Sequence, residues 1–375
     1  MKRWLWIALG LLLVAAAVAY WVWLHPWLAA PDEPVAEIDR RWARVVAWAR
    51  PAGEPGPAGE RLAAALEAME PVADELDERV EALDDGRLPE LDAASLPAAA
   101  RRALDELVGW WRAGGGLPGA GGGLPGAGGG EPQAGGGEPS VCPQQLDAMD
   151  LLTLGRLALV TAPDDAGSEQ VAAALGLAHT LWTRGRLIQL AVGAQLAREA
   201  AEWLVQRGLA PGPAFERLLP EAEGVFAGLA RDAACTYRDT ARQLAGGQPP
   251  GDTGPFFSVE RELLWLRKML ADRLHGAAPA RAELEQLAER FSYRPPDQLP
   301  ASHLVRLIYP SPLGKVVDKL REDLEAIDQA LQRARQNPAS NKVDRGGAAE
   351  DEVDAADDGD EASASNSNSS APARP

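Results

Sequence analysis

Few side chains in this 375-residue chain could do chemistry. There are two cysteines, Cys142 and Cys235, and four histidines, His25, His179, His275 and His303. The histidines are scattered, without the short regular spacing of metal ligands, and no Ser-His-Asp, Cys-His or zinc signature is present locally. Cys142, just before Pro143, is a candidate nucleophile, but no base neighbours it in the sequence. An even pair of cysteines outside the cytosol reads more readily as one structural disulfide. His179 lies close to Trp182 and is the histidine best placed for a site, although such residues are ordinarily hydrogen-bonded at a core boundary. Glu199 and Glu202 share a helical face and could share a proton. Pairs of this kind are commonly solvated and matched by arginine, here Arg198 or Arg207. The sequence therefore assigns no catalytic, cofactor-binding or metal-binding residue.

The first element that must place these residues is the stretch Trp4–Leu24, 21 residues without a charge. At about 1.5 Å rise per residue it is long enough as a helix to cross a bilayer core. Trp4 and Trp6 mark one end and Tyr20, Trp21, Trp23 and Trp27 the other, the pattern of two interfacial aromatic belts. Lys2 and Arg3 flank it on one side, and Asp32, Glu33, Glu37 and Asp39 follow on the other. This predicts a transmembrane anchor over 1–25 with a short cytoplasmic N-terminus and an exoplasmic body. The alternative is a cleaved signal peptide, with Ala17-Val18-Ala19 as the small-x-small site.

Beyond the anchor the apolar residues keep a helical period. Val35, Ile38, Trp42, Val45 and Ala49 form one narrow stripe. A helix from Glu60 is kinked or restarted at Pro71 and runs towards Gly86, and another spans Ala98–Arg112. Leu146–Val160 is apolar on most faces and reads as a central helix. Glu169–Arg184, Leu187–Arg207 and Glu221–Ala245 follow. Gly193, Ala197 and Ala201 give the second of these a small-residue face that a neighbouring helix can approach closely. On a helical wheel Cys235 falls opposite the apolar stripe of its helix, beside Arg231, Asp239 and Arg242. Helices near Val259 and Ala280–Phe291, a proline-rich turn and a short helix around Leu304 lead to the last long helix. Its stripe, Leu313, Val317, Leu320, Leu324, Ile327 and Leu331, alternates four and three as in helices that pair with one partner.

Two segments bury nothing. Residues 113–140 hold a seven-residue repeat, GGGLPGA at Gly114 and Gly121 and then GGGEP at Gly128 and Gly135. The period is not that of collagen and no Gly-Lys-Ser/Thr follows, so a phosphate-binding loop is excluded. The repeat reads as a flexible linker. Residues 337–375 are acidic and then Ser/Asn-rich, a disordered tail. The expected fold class is all-α: a transmembrane anchor, membrane-proximal helices over 32–112, the repeat, a main body over 141–336 packed with 32–112 as a bundle or stacked hairpins, and the tail.

The formal charge is −18, which argues against nucleic acid and against an anionic membrane surface as partners. The pieces LLTLGRLALV, RGRLIQLAVG, FSYRP and YPSPLG resemble an uncharacterised group of bacterial, N-terminally anchored helical proteins. This resemblance covers roughly Leu146–Gly314. Where that group has Asn after Arg-Pro, this chain has Pro296. The resemblance implies an all-helical body and no activity.

The functional expectation is a single-pass protein of a bacterial inner membrane with its body in the periplasm, a helical scaffold or protein-interaction module rather than an enzyme. Its candidate contact surface is the Leu313–Leu331 seam, facing a protein partner or a second copy. The competing expectations are that this seam closes the body against the Val35–Ala49 stripe, and that the chain is an exoplasmic enzyme whose site is assembled from distant residues.

Overall fold

The computed structural model describes residues 12–20, 31–49, 58–81, 88–115, 142, 146–247, 257–274, 283–292, 294–295, 299, 302–308 and 313–336. The described residues are all-helical, without a strand. The linker expected over 113–140 lies outside them except for its first three residues, and the tail expected over 337–375 lies wholly outside. Of Trp4–Leu24 only residues 12–20 are described. They are helical, with Leu12, Leu13, Val14 and Val18 exposed. Among the described residues no helix is long and apolar enough to cross a membrane.

The body comprises α1 Val35–Ala49, α2 Ala58–Met69, α3 Ala73–Val80, α4 Ala98–Arg112, α5 Ala148–Val160, α6 Glu169–Arg184 and α7 Leu187–Arg207. There follow α8 Pro213–Leu218, α9 Ala222–Ala245, α10 Val259–Arg273, α11 Leu284–Arg290, α12 His303–Ile308 and α13 Leu313–Gln336. Their ends follow local chemistry. The Asp147 carboxylate accepts from the Met149 and Asp150 amides and starts α5, and the Ser168 hydroxyl accepts from Val171 at the start of α6. Gly208 ends α7 in the left-handed conformation, φ 63°, where a Cβ would be strained. Pro71 does not break the second helix outright. It sits in one 3₁₀ turn, Glu70–Val72, between α2 and α3.

Two apolar clusters make up the interior. The first gathers α2 to α8, with Trp110, Leu157, Leu177, Leu196, Trp203 and Phe215 among its members. The second gathers α1 and α9 to α12, with Trp42, Phe226, Tyr237, Leu266 and Phe291. Helices α7 and α13 run through both, and α6, otherwise in the first, adds Trp182 to the second. Leu190 and Ala194 of α7 and Val317, Leu320 and Leu324 of α13 lie in the second cluster. Leu196, Ala200 and Leu204 of α7 and Ile327, Ala330 and Leu331 of α13 lie in the first. The two helices therefore run in the same direction, side by side.

This corrects the reading of the last helix as a free seam. Val317, Leu320, Leu324, Ile327 and Leu331 are all buried, and only Leu313 is partly open. The stripe packs on α7 and α11 rather than on α1, while α1 lies against α9 and α10. A narrow stripe spaced at four and three suits burial between two antiparallel or parallel neighbours as well as a coiled coil, and here the neighbours are internal.

The small-residue face of α7 meets α6. A Cβ on Gly193 would stand 2.7 Å from the Ala178 carbonyl oxygen, so α6 and α7 approach at backbone distance there. On the same scale, a Cβ on Gly155 would meet Leu196. Together with the Arg156–Glu199 contact, this sets α5 parallel to α7 with α6 returning between them. The N-terminal ends of α5 and α7, Ala148 and Leu187, consequently emerge side by side.

Candidate functional site

Where those two ends emerge, the structure opens a groove of about 470 Å³ lined by Leu146, Asp147, Ala148, Arg186, Ile188, Gln189 and Asp232. Asp147 and Ala148 come from the start of α5, Ile188 and Gln189 from the first turn of α7, and Asp232 from the middle of α9. Arg186 caps α7: its amide donates to the Gln189 side chain at 3.0 Å. Its guanidinium reaches across to α9, donating to Asp232 at 3.1 Å, Asp239 at 3.3 Å and the Thr236 hydroxyl at 3.5 Å.

The two cysteines stand next to this groove. Cys142 and Cys235 form a disulfide with Cα atoms 5.5 Å apart. It joins the segment entering α5 to α9, one helical turn from Asp232. Bridging a sequence separation of 93 removes unfolded-chain freedom worth roughly 4–5 kcal/mol in the chain-entropy model. The helical wheel sets Cys235 opposite the apolar stripe of α9, yet both cysteines are buried, at 1% and 0% exposure. The reason lies in the arginine beside it. Arg231, on the same face, is buried at 1% and donates to three backbone carbonyls: Ala49 at 3.2 Å, Gly185 at 2.5 Å and Thr183 at 2.7 Å. These are the C-terminal ends of α1 and α6, where helix dipoles are negative. Helix α9 therefore buries part of its polar face, Arg231 and Cys235, by using a cation to gather two helix ends, while Asp239 and Arg242 stay exposed. Burial, reinforced by nearby Arg184, pushes the Arg231 guanidinium down to about 10.

The carboxylates Glu199 and Glu202, read as one solvated pair, are separated by the fold. Glu199 is buried and held by Arg156 at 2.9 and 2.7 Å, with Gln195 donating at 3.0 Å. Glu202 pairs instead with Arg333 on α13 at 2.6 Å. Neither expected partner serves them: Arg198 pairs with buried Asp323 at 2.8 Å and Arg207 pairs with Asp164. His179 is half-buried at the α6–α8 contact. Its Nδ1 is buried without a hydrogen-bond partner, and burial holds its pKa below the ordinary value against a stabilising hydrogen bond to the Leu218 backbone. His303 makes an edge contact with Phe257, centroids 6.2 Å apart. His25 and His275 lie outside the described residues.

Glu262 is a buried carboxylate that sequence reading missed. It accepts from the Ser302 hydroxyl at 2.7 Å and the Leu304 amide at 3.1 Å, and so fastens the start of α12. Helix α8 was missed as well, although Gly212-Pro213 signalled it through proline at a first helical position. No sequence signal points to the groove, because its walls come from three helices distant in the chain. No family model, no curated protein and no solved structure matches this chain.

Proposed function

We propose that this chain is a membrane-tethered helical scaffold whose body lies outside the cytoplasm and holds protein partners near the bilayer. The observation that carries the compartment is the buried Cys142–Cys235 disulfide. Disulfides persist in oxidising surroundings and are rare where thiols are kept reduced. The tether rests on the uncharged, aromatic-flanked stretch Trp4–Leu24, with Lys2 and Arg3 on one side and four carboxylates soon after it on the other. The scaffold reading is supported by a closely packed interior in which polar side chains are spent on one another or on helix ends: Arg156 on Glu199, Arg231 on three carbonyls, Glu262 on α12. The enzyme reading is served less well. The groove brings Asp147, Arg186 and Asp232 together, but Asp147 is committed to capping α5 and Arg186 to α9, and no nucleophile lines it beside a base.

A phosphatase reporter that is active only after export, fused after Arg50, tests the topology. Activity is expected. An inactive fusion, with a cytoplasmic reporter active at the same junction, would reverse the orientation and remove the basis for an extracytoplasmic scaffold.

A further inference from the structure

The groove between the ends of α5 and α7 combines two properties that single out a class of ligand. Its lips are apolar and open. Ile188 is 64% exposed, and Met149, one residue beyond the lining, is 54% exposed. Large side chains open in this way, gathered around a cavity, mark binding surfaces more often than scattered single residues do. Its surround is acidic. Asp147 and Asp232 line it, and Asp150, three residues on from Asp147 in α5 and outside the lining, feels Asp147, Glu70, Asp74 and Asp77. The one cation among the lining residues, Arg186, is shared by Asp232 and Asp239. Burial pushes the Asp150 carboxyl above its ordinary value, and Asp147, Glu70, Asp74 and Asp77 push it further, the mark of a concentrated negative field.

We propose that this groove docks a short basic segment of another protein, one aliphatic side chain seated between Leu146 and Ile188 and flanking lysines or arginines set against Asp147 and Asp232, with Asp150 adding to the negative field from outside the lining. This names the partner class of the scaffold reading and rests on it. Phosphate-rich partners, nucleic acid or anionic lipid, meet the wrong charge here, whereas a basic segment is steered in by the field. The walls are held apart before binding. The disulfide ties the entry of α5 to α9, and Arg186 ties the entry of α7 to the same helix, so little ordering is left to be done when the ligand arrives.

The test uses the full chain in a non-ionic detergent and a fluorescein-labelled peptide of alternating lysine and leucine, followed by anisotropy. Peptides with glutamate for lysine, or serine for leucine, serve as controls. Partition of the probe into micelles is the same for every protein variant, so the difference between variants is the readout. Saturable binding is expected, weakened about tenfold by Ile188→Ser, as for loss of a central apolar anchor. Asp150→Asn should weaken it about threefold, and salt on the order of 0.5 M should weaken it further. Ile188 is open to solvent, so its replacement leaves the fold intact, and Met149→Ser provides a second variant of the same kind. Equal binding by wild type and both serine variants, no saturable binding, or equal binding of the glutamate peptide would each overturn the proposal. If the probe binds as expected while the reporter places the body in the cytoplasm, the groove stands and the compartment falls. If the probe fails on a body shown to be exported, the groove falls alone.

Discussion

Arg156 grips Glu199 at two points across α5 and α7, Nε to Oε2 at 2.9 Å and Nη2 to Oε1 at 2.7 Å, with both side chains less than a tenth exposed. Glu199→Ala would leave the guanidinium buried without its partner, at a cost of roughly 3–5 kcal/mol. The double replacement Arg156→Met with Glu199→Leu removes both charges and should recover most of that loss. Urea unfolding of wild type and the two variants checks the ordering. A single variant within about 1 kcal/mol of wild type would show that the pair is not desolvated in solution.

Leu324 is 2% exposed in the second apolar cluster. Leu324→Asp places a carboxylate there with no cation arranged to receive it, which costs several kcal/mol. The expected result is loss of cooperative unfolding and early proteolysis. A variant that kept its denaturation midpoint would show that α13 does not pack on α7, and would return the stripe to solvent or to a partner.

His179 sets a pH dependence of known sign. Burial lowers its pKa in the folded chain, whereas the unfolded chain takes up a proton near the ordinary value of about 6.5. The stabilisation is therefore fully present above about pH 6.5 and is lost as pH falls from there through the lower folded value. Protonation would also leave the Nδ1 proton without an acceptor. The charged groups acting on the ring are Arg184 on its own helix and Glu221 at the start of α9, while α8 contributes Leu218. Melting temperature followed from about pH 8 to about pH 5 should fall less in His179→Gln than in wild type. Parallel curves would remove His179 as the cause.

The glycine repeat is fixed at points near one another. Gly115 donates to the Trp110 carbonyl at 3.1 Å and borders Thr180, near the end of α6. Cys142 is bonded to α9, which carries the partners of Arg186 at the start of α7. Both ends thus lie by the α6–α7 turn, and the length between them is not needed to span a distance. Deleting residues 117–134 should change stability by under about 1 kcal/mol, the scale of the loop-closure term. A deletion that starts at Gly114 should cost more, because Gly114 and Gly115 make the turn that ends α4 with φ of 97° and 64°. Equal melting temperatures for the two deletions would contradict this.

The helices were legible in the sequence wherever an apolar stripe ran between clear caps. Ala98–Arg112, Glu169–Arg184 and Leu187–Arg207 have the bounds that periodicity indicates, with Gly185 separating the last two. The close approach at Gly193 was legible too, since small residues four apart have one steric meaning. What a polar residue does once buried was not legible. Arg231, Glu199, Asp323 and Glu262 read as surface charges, because periodicity assigns polar residues to solvent. The partners on other helices lie 40 to 182 positions away and exist only after the helices assemble. The partner of the α13 stripe was hidden for the same reason: spacing shows that a face is buried, not against what.

The shared membership of α7 and α13 in both apolar clusters bears on how the body comes apart. Neither cluster can lose its structure while the other keeps its own, since each would strip half of the same two helices. Heating should therefore give a single calorimetric transition, its van't Hoff and calorimetric enthalpies equal. It follows that no cut between α7 and α13 yields a piece able to stand by itself, because either piece would carry one of these two helices half-uncovered into water.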